Sequence, residues 1–212
     1  FQVDDVAAAR DRVLAEGGAQ AGLPAHAIQV VPTTDREAIR LLVRMDPYVD
    51  LVIPRGGREM INHILEHARV PVIKHSDGIC HVYVDRKANL EKAMAITLNA
   101  KCQRPGVCNA AETLLVHQDI AREFLPVCAQ ALLERKVELR GDGACREIVP
   151  SMRPATEEDW RTEYLDLILS IRVVKDLDEA IAHINEYGSH HSDSIVTEDK
   201  KAADRFLNEV DS

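Results

Sequence analysis

No stretch of this 212-residue chain is apolar for long enough to cross a bilayer. Hydrophobic residues make up 46% of it, but the 29% that are charged interrupt them throughout, which excludes a membrane-spanning helix and reads as a soluble, globular protein. Nor is there a long Lys/Arg run, and the formal net charge is -9. Without a cationic field to gather phosphates, nucleic acid is excluded as an expected partner. The five cysteines, Cys80, Cys102, Cys108, Cys128 and Cys145, contain no Cys-x-x-Cys pair and no neighbouring histidines at zinc spacing. A zinc module and an even disulfide framework are thereby excluded, no metal is expected, and reduced thiols in a cytoplasmic compartment fit best. The opening residues, from Phe1, lack a basic-then-apolar secretory pattern. There is no internal repeat and no low-complexity tract. The last residues, Asp199 to Ser212, read as a helix with no strand after it, so both ends are expected to be cuts in something longer.

What is present is a steady alternation of helical and extended periodicity, the pattern of a parallel sheet with crossover helices, so the predicted fold class is α/β. Residues Asp5 to Glu16 have helical spacing and end at Gly17-Gly18, and Ala27 to Val31 read as a short strand. Thr34 and Glu37 have capping-box spacing for a helix through Met45. Strands are predicted at Leu51 to Ile53 and Val70 to Ile73, with a helix from about Arg58 to His67 between them. The alternation restarts at Gly78: strand His81 to Val84, helix Leu90 to Ala100, loop Gln103 to Asn109, strand Thr113 to His117. A helix through Ile120, Phe124, Val127 and Ala131 and a strand at Val137 to Leu139 follow. The stretch Gly141 to Thr156 holds two Gly and two Pro and is expected to be the main internal loop. Leu165 to Val174, Asp178 to Tyr187 and Ser194 to Val196 then read as strand, helix and strand. A domain boundary is placed near Gly78, with 1–78 a nucleotide-type βαβ layer and 79–212 carrying the reactive thiol.

Chemistry concentrates in Lys101-Cys102-Gln103-Arg104-Pro105-Gly106-Val107-Cys108-Asn109, a Pro-Gly loop between helix and strand where a backbone can approach a ligand closely. Arg104, four positions from Cys108, is near enough to favour a thiolate or to meet an anionic leaving group. On physics alone, any single cysteine is as readily a small buried hydrophobe. Ile53-Pro54-Arg55-Gly56-Gly57, a strand-to-helix turn, is either an ordinary tight connection or a backbone cradle for a phosphate. Glu163, just before a strand, is on its own a solvated acid. Adjacent His190 and His191 diverge and lack a third ligand, which argues against a metal.

Two long, separated segments add a resemblance to a known family, which favours a reactive over a buried Cys108. Cys102 to Thr113 (Cys-Gln-Arg-Pro-Gly-Val-Cys-Asn-Ala-Ala-Glu-Thr) is similar to the nucleophile segment of gamma-glutamyl phosphate reductases, within the aldehyde dehydrogenase superfamily. Asp77 to Asp85 belongs to the same pattern, and so does Val174 to Ile195, with its Tyr187-Gly188-Ser189-His190-His191-Ser192-Asp193. The resemblance implies an aldehyde dehydrogenase-like fold: a Rossmann-type cofactor-binding part followed by an α/β catalytic domain, incomplete and truncated at its C-terminus. It implies NADPH-dependent reduction of L-glutamyl 5-phosphate to L-glutamate 5-semialdehyde in proline biosynthesis. Cys108 would be the nucleophile, with backbone donors near Cys108 and Asn109 for the oxyanion. Arg104 would contact the substrate anion, Arg55, Gly56 and Gly57 would line the cofactor site, and Glu163 would hold the nicotinamide ribose. The remaining cysteines would be structural.

Where oxidising relatives carry a water-activating glutamate, this chain aligns His75, as suits an enzyme with no thioester to hydrolyse. The family also implies a homo-oligomer and a functional coupling to glutamate 5-kinase. Its complete enzymes are roughly twice this length, so the rival readings are a non-catalytic fragment or assembly module and an aldehyde-oxidising relative.

Overall fold

The structure is a computed structural model that describes residues 27–74 and 77–212. The helix expected at Asp5 to Glu16 and the position of His75 lie outside the described residues. Chain packing divides the molecule into two compact units, Phe1–Ser76 and Asp77–Ser212.

In the first unit, α1 (Glu37–Leu42) and α2 (Arg58–His67) are the helices among the described residues. The start of α1 is set by Asp35, whose carboxylate accepts from the Glu37 amide at 2.9 Å. The expected Thr34 capping box is not formed, and the helix stops at Leu42, short of Met45. Residues Ala27 to Val31 are irregular rather than a strand. Pro32 follows them and has no N–H to donate to a ladder. The strands expected at Leu51 to Ile53 and Val70 to Ile73 contract to one parallel bridge, Val52 to Val72. Pro71 offers its carbonyl to the Val52 amide at 2.9 Å, but neither Pro71 nor Pro54 has an N–H with which to extend the ladder. Val43, Ile61, Ile64 and Val70 are the buried residues of this unit's small core.

The second unit is built on six strands: β1 (Cys80–Val84), β2 (Ala111–His117), β3 (Glu138–Gly141), β4 (Arg153–Pro154), β5 (Ile168–Val174) and β6 (Asp193–Val196). They form one sheet in the order β4-β3-β5-β2-β1-β6, and every pairing is parallel. The central strands β1 and β2 are buried along their whole length, because helices cover both faces of a parallel sheet. Alternation of side chains sorts the apolar residues. Val82, Val84, Leu114 and Val116 join Phe124, Leu125 and Leu132 of α4 (Gln118–Glu134) in one core. Tyr83 and Leu115 face the opposite side, with Ile184 of α7 (Leu177–Tyr187) and Phe206 of α8 (Lys200–Glu209). Helix α3 (Leu90–Cys102) connects β1 to β2.

The stretch Gly141 to Thr156 is not a plain loop. Asp142 caps α5 (Gly143–Ile148), its carboxylate accepting from the Cys145 amide at 2.8 Å, and residues Arg153–Pro154 add the edge strand β4. A further short helix, α6 (Glu157–Trp160), begins where Asp159 accepts from the Thr156 amide at 2.6 Å and from its hydroxyl at 2.8 Å. Among the described residues, no helix is long and apolar enough to cross a membrane. For function, the consequence is an adjacency. Cys80 pairs with Ala111, so the residues leading into β1 lie beside the loop leading into β2.

Candidate active site

The loop between α3 and β2 is closed by two turn bonds, Val107 N to Arg104 O at 3.3 Å and Ala110 N to Val107 O at 3.0 Å. Cys108 is exposed on it, whereas Cys80, Cys128 and Cys145 are buried and Cys102 is half-buried. Burial, aided by the Asp193 carboxylate, pushes the Cys80 thiol up to about 12. Burial likewise takes Cys128 to about 12 and raises Cys145 and Cys102. These four are held as neutral thiols. Among the described residues the backbone amides of Cys108 and Asn109 have no acceptor, so both remain available donors beside the thiol. Arg104 and Asn109 share a hollow of about 310 Å³ with Asn99, Gln103 and Val107; Cys108 does not line it.

The loop is held from below by the approach to β1. A Cβ on Gly78 would lie 1.8 Å from the Cys108 carbonyl oxygen, a separation that only glycine permits. The Gly78 amide donates to Glu163 Oε1 at 2.8 Å. Two residues on, the buried Cys80 thiol donates to the same Cys108 carbonyl at 3.3 Å. Glu163, expected from sequence as a ribose contact, is thus brought to the glycine that lies against the Cys108 backbone.

Residues not singled out from the sequence complete this arrangement. Ser189 Oγ accepts from the Ile79 amide at 2.9 Å. Asp193 Oδ1 accepts from both the amide and Nδ1 of His81, each at 2.8 Å. Lys101 and Glu112, one at each end of the nucleophile loop, meet at 2.6 Å, with side chains 0% and 1% exposed. No local sequence signal marks this pair, since the helix and the strand that carry it hold other polar residues as well. His190 and His191 take separate partners, the Asp211 carbonyl and Ser192 Oγ. Among the described residues no three His, Cys, Asp or Glu converge to hold a metal.

In the first unit, Gly57 precedes the ten residues of α2 with no side-chain cap. A Cβ there would meet nothing within 4 Å, while one on Gly56 would strike Met60 Cε at 2.0 Å. The turn therefore offers open space before uncapped helix amides, a fit for a phosphate of a dinucleotide.

The second unit is a parallel α/β sheet whose one exposed thiol, Cys108, lies on the loop leading into β2. The aldehyde dehydrogenase family model matches residues 4–146, more than half of the chain, and the chain belongs to that family. It is 50% identical over 201 residues to the gamma-glutamyl phosphate reductase of Geobacter metallireducens, covering 95% of this chain and 48% of that one. The crystal structure of a gamma-glutamyl phosphate reductase from Thermotoga maritima superposes with a TM-score of 0.84 at 48% identity, over 93% of this chain and 48% of the other. An NADP-dependent glyceraldehyde-3-phosphate dehydrogenase of Bacillus halodurans, complexed with NADP, shares the fold: TM-score 0.66, 21% identity, over 93% and 50% of the two chains. The present chain spans about half the length of the curated relative it matches.

Proposed function

We propose that this chain carries the nucleophile and part of the cofactor contacts for NADPH-dependent reduction of L-glutamyl 5-phosphate to L-glutamate 5-semialdehyde and phosphate. The observation that carries the reading is the singular state of Cys108: an exposed thiol on a braced loop, beside two backbone donors without acceptors, while every other cysteine is buried or half-buried. The 50% identity to a named gamma-glutamyl phosphate reductase supports the choice of substrate.

In this reading the Cys108 thiolate attacks the acyl carbon, the amides of Cys108 and Asn109 receive the developing oxyanion, and phosphate departs to leave a thioester on Cys108. Phosphate leaves readily without a strong general acid, and Arg104 supplies a cation for the substrate or the departing anion. Arg55, Gly56 and Gly57 would hold the dinucleotide at the start of α2, and Glu163 would take its ribose hydroxyls. NADPH, once bound, would supply the hydride for the acyl carbon, and the C–S bond would then break to return the Cys108 thiol with the aldehyde. The Gly78 amide orients Glu163 by taking one carboxylate oxygen and leaving the other for a ligand. A carboxylate kinase is one direct source of an acyl phosphate, and functional coupling to a glutamate 5-kinase, like assembly as a homo-oligomer, is part of the proposal.

The test is the protein that carries this chain, assayed in the reverse direction as phosphate-dependent NADP reduction by glutamate 5-semialdehyde. Cys108→Ala is expected to abolish turnover while leaving NADPH binding intact. Turnover near the unsubstituted rate would remove Cys108 from the mechanism.

A further inference from the structure

The nucleophile loop begins after one buried charge and ends before another. Lys101 is the penultimate residue of α3, and Glu112 is the second residue of β2. Their side chains meet at 2.6 Å, almost wholly out of solvent. Desolvation pushes both toward neutrality, raising Glu112 to about 7 and lowering Lys101, while each charge pulls its partner back. A pair so placed is a poor way to stabilise a fold, since well-packed apolar residues serve as well or better. Its presence calls for another reason.

The surroundings of the pair supply one. The register between β1 and β2 slips at this point: Cys80 pairs with Ala111 but His81 pairs with Thr113, so Glu112 has no partner residue on β1. Irregularities of this kind re-aim a side chain, and they are common beside active sites. The second Glu112 oxygen, Oε1, accepts from the Leu165 amide at 3.2 Å. Leu165 has φ 55°, a left-handed conformation unusual for a leucine. Finally, Tyr164, between Glu163 and Leu165, lies with its ring 5.9 Å from Lys101 Nζ. A Cβ on Gly106 of the nucleophile loop would meet the Leu165 carbonyl at 3.6 Å.

We propose that Lys101 and Glu112 form a staple whose carboxylate, through the Leu165 amide, fixes the 163–165 turn against the nucleophile loop, making Glu112 a positioning residue for Glu163. Lys101 closes the loop's two ends on each other. Glu112 passes that constraint to the turn bearing the carboxylate that Gly78 orients. The functional consequence rests on the reading of Glu163 as a cofactor contact.

Two double variants separate the charge from the hydrogen bond. Lys101→Met with Glu112→Leu replaces the pair with apolar side chains and removes the acceptor for Leu165. Lys101→Met with Glu112→Gln also removes the charges but keeps an amide oxygen for Leu165. Each is made in the protein that carries this chain, checked for cooperative unfolding, and examined by peptide-resolved amide exchange and by calorimetric titration with NADPH. The Leu variant is expected to exchange faster in 103–110 and 163–166 with the sheet still protected. It should bind NADPH about tenfold more weakly, the scale of one lost buried hydrogen bond. The Gln variant is expected to restore both, and adding Glu163→Ala to the Leu variant should cost no more than Glu163→Ala alone. Unchanged exchange in both segments of the Leu variant, equal defects in the two double variants, or, where Glu163→Ala by itself weakens NADPH binding, strictly additive effects with it would each overturn the staple. If exchange rises as expected and Gln restores it, but Glu163→Ala leaves NADPH affinity untouched, the staple stands and the cofactor role of Glu163 falls. Should the Leu variant not fold, Glu112→Gln alone, read by the same exchange and titration, decides whether Leu165 needs only an acceptor.

Discussion

Gly78 and Cys108 are in backbone contact: the position of a Gly78 Cβ would fall 1.8 Å from the Cys108 carbonyl oxygen and 2.8 Å from its Cα. Neither atom belongs to a flexible side chain, so a methyl group there must displace the nucleophile loop or the approach to β1. Gly78→Ala is expected to cost at least about 1–3 kcal/mol of stability, the usual range for overpacking. It should also slow Cys108 alkylation or turnover by more than that stability loss explains, because the Glu163 contact shifts with it. Thermal unfolding and iodoacetamide kinetics on one preparation measure both. An alanine variant with ordinary stability and Cys108 reactivity would show that the contact is not needed.

The five thiols should differ sharply in reactivity. Under native conditions near pH 8, Cys108 is expected to be labelled first. Cys80, Cys128 and Cys145 should stay unlabelled until the protein unfolds, since burial keeps them protonated and out of reach. Cys102, half-buried, should follow at an intermediate rate, and Cys102→Ala should leave turnover nearly unchanged. Site-resolved mass spectrometry after timed alkylation gives the order. Early labelling of Cys80 would contradict its buried hydrogen bond to the Cys108 carbonyl.

The parallel sheet was legible from the alternation of extended and helical segments: strands were expected at His81 to Val84 and Thr113 to His117, and the structure extends them only at their starts, to Cys80 and Ala111. The loop bearing Cys108 drew attention for a different reason, its likeness to a known segment. Errors came where local signals competed. Gly141, Gly143, Pro150 and Pro154 argued for a loop, yet Asp142 caps a helix there and its other oxygen accepts from the Val173 amide at 3.2 Å. That last contact spans 31 residues and cannot be read locally. The same holds for Glu163 with Gly78, Ser189 with Ile79 and Asp193 with His81, each joining residues far apart in the chain. Lys101 and Glu112 are near in sequence, but their contact forms beside a register slip between β1 and β2 that the sequence does not announce.

His183 makes acid stability predictable in sign. It is buried among His81, Trp160 and Tyr187, and its Nδ1 accepts from Arg172, a group that can only donate. Burial, with smaller contributions from His81 and Arg172, lowers it to about 3. The unfolded chain binds a proton at this position below about pH 6.5 and the folded chain does not, so stability falls as pH drops from about 6.5 towards 3. The loss attributable to this residue is at most a few kcal/mol. Urea unfolding at pH 7.5, 6 and 5 should show a smaller decline for His183→Asn than for the unsubstituted protein. Parallel declines would assign the acid sensitivity to other groups.

Asp193 anchors the start of β1, and its loss should therefore reach the thiol. One oxygen accepts from both the His81 amide and His81 Nδ1, in a contact with side chains 0% and 1% exposed. Asp193→Ala would leave two buried donors without an acceptor. That should cost about 3–5 kcal/mol, the range for breaking a buried pair from one side. Asp193→Asn keeps a carbonyl oxygen in the same place and should cost clearly less. Cys80 lies immediately before His81, and its thiol bonds to the Cys108 carbonyl, so releasing His81 loosens the brace beneath the nucleophile loop. Conditions are then chosen in which both variants remain folded, and Cys108 alkylation is compared with labelling of Cys80. Asp193→Ala should expose Cys80 to labelling and alter the Cys108 rate, while Asp193→Asn should preserve both. Equal thiol reactivity in the two variants, despite unequal stability, would confine Asp193 to holding the sheet edge and separate it from the site.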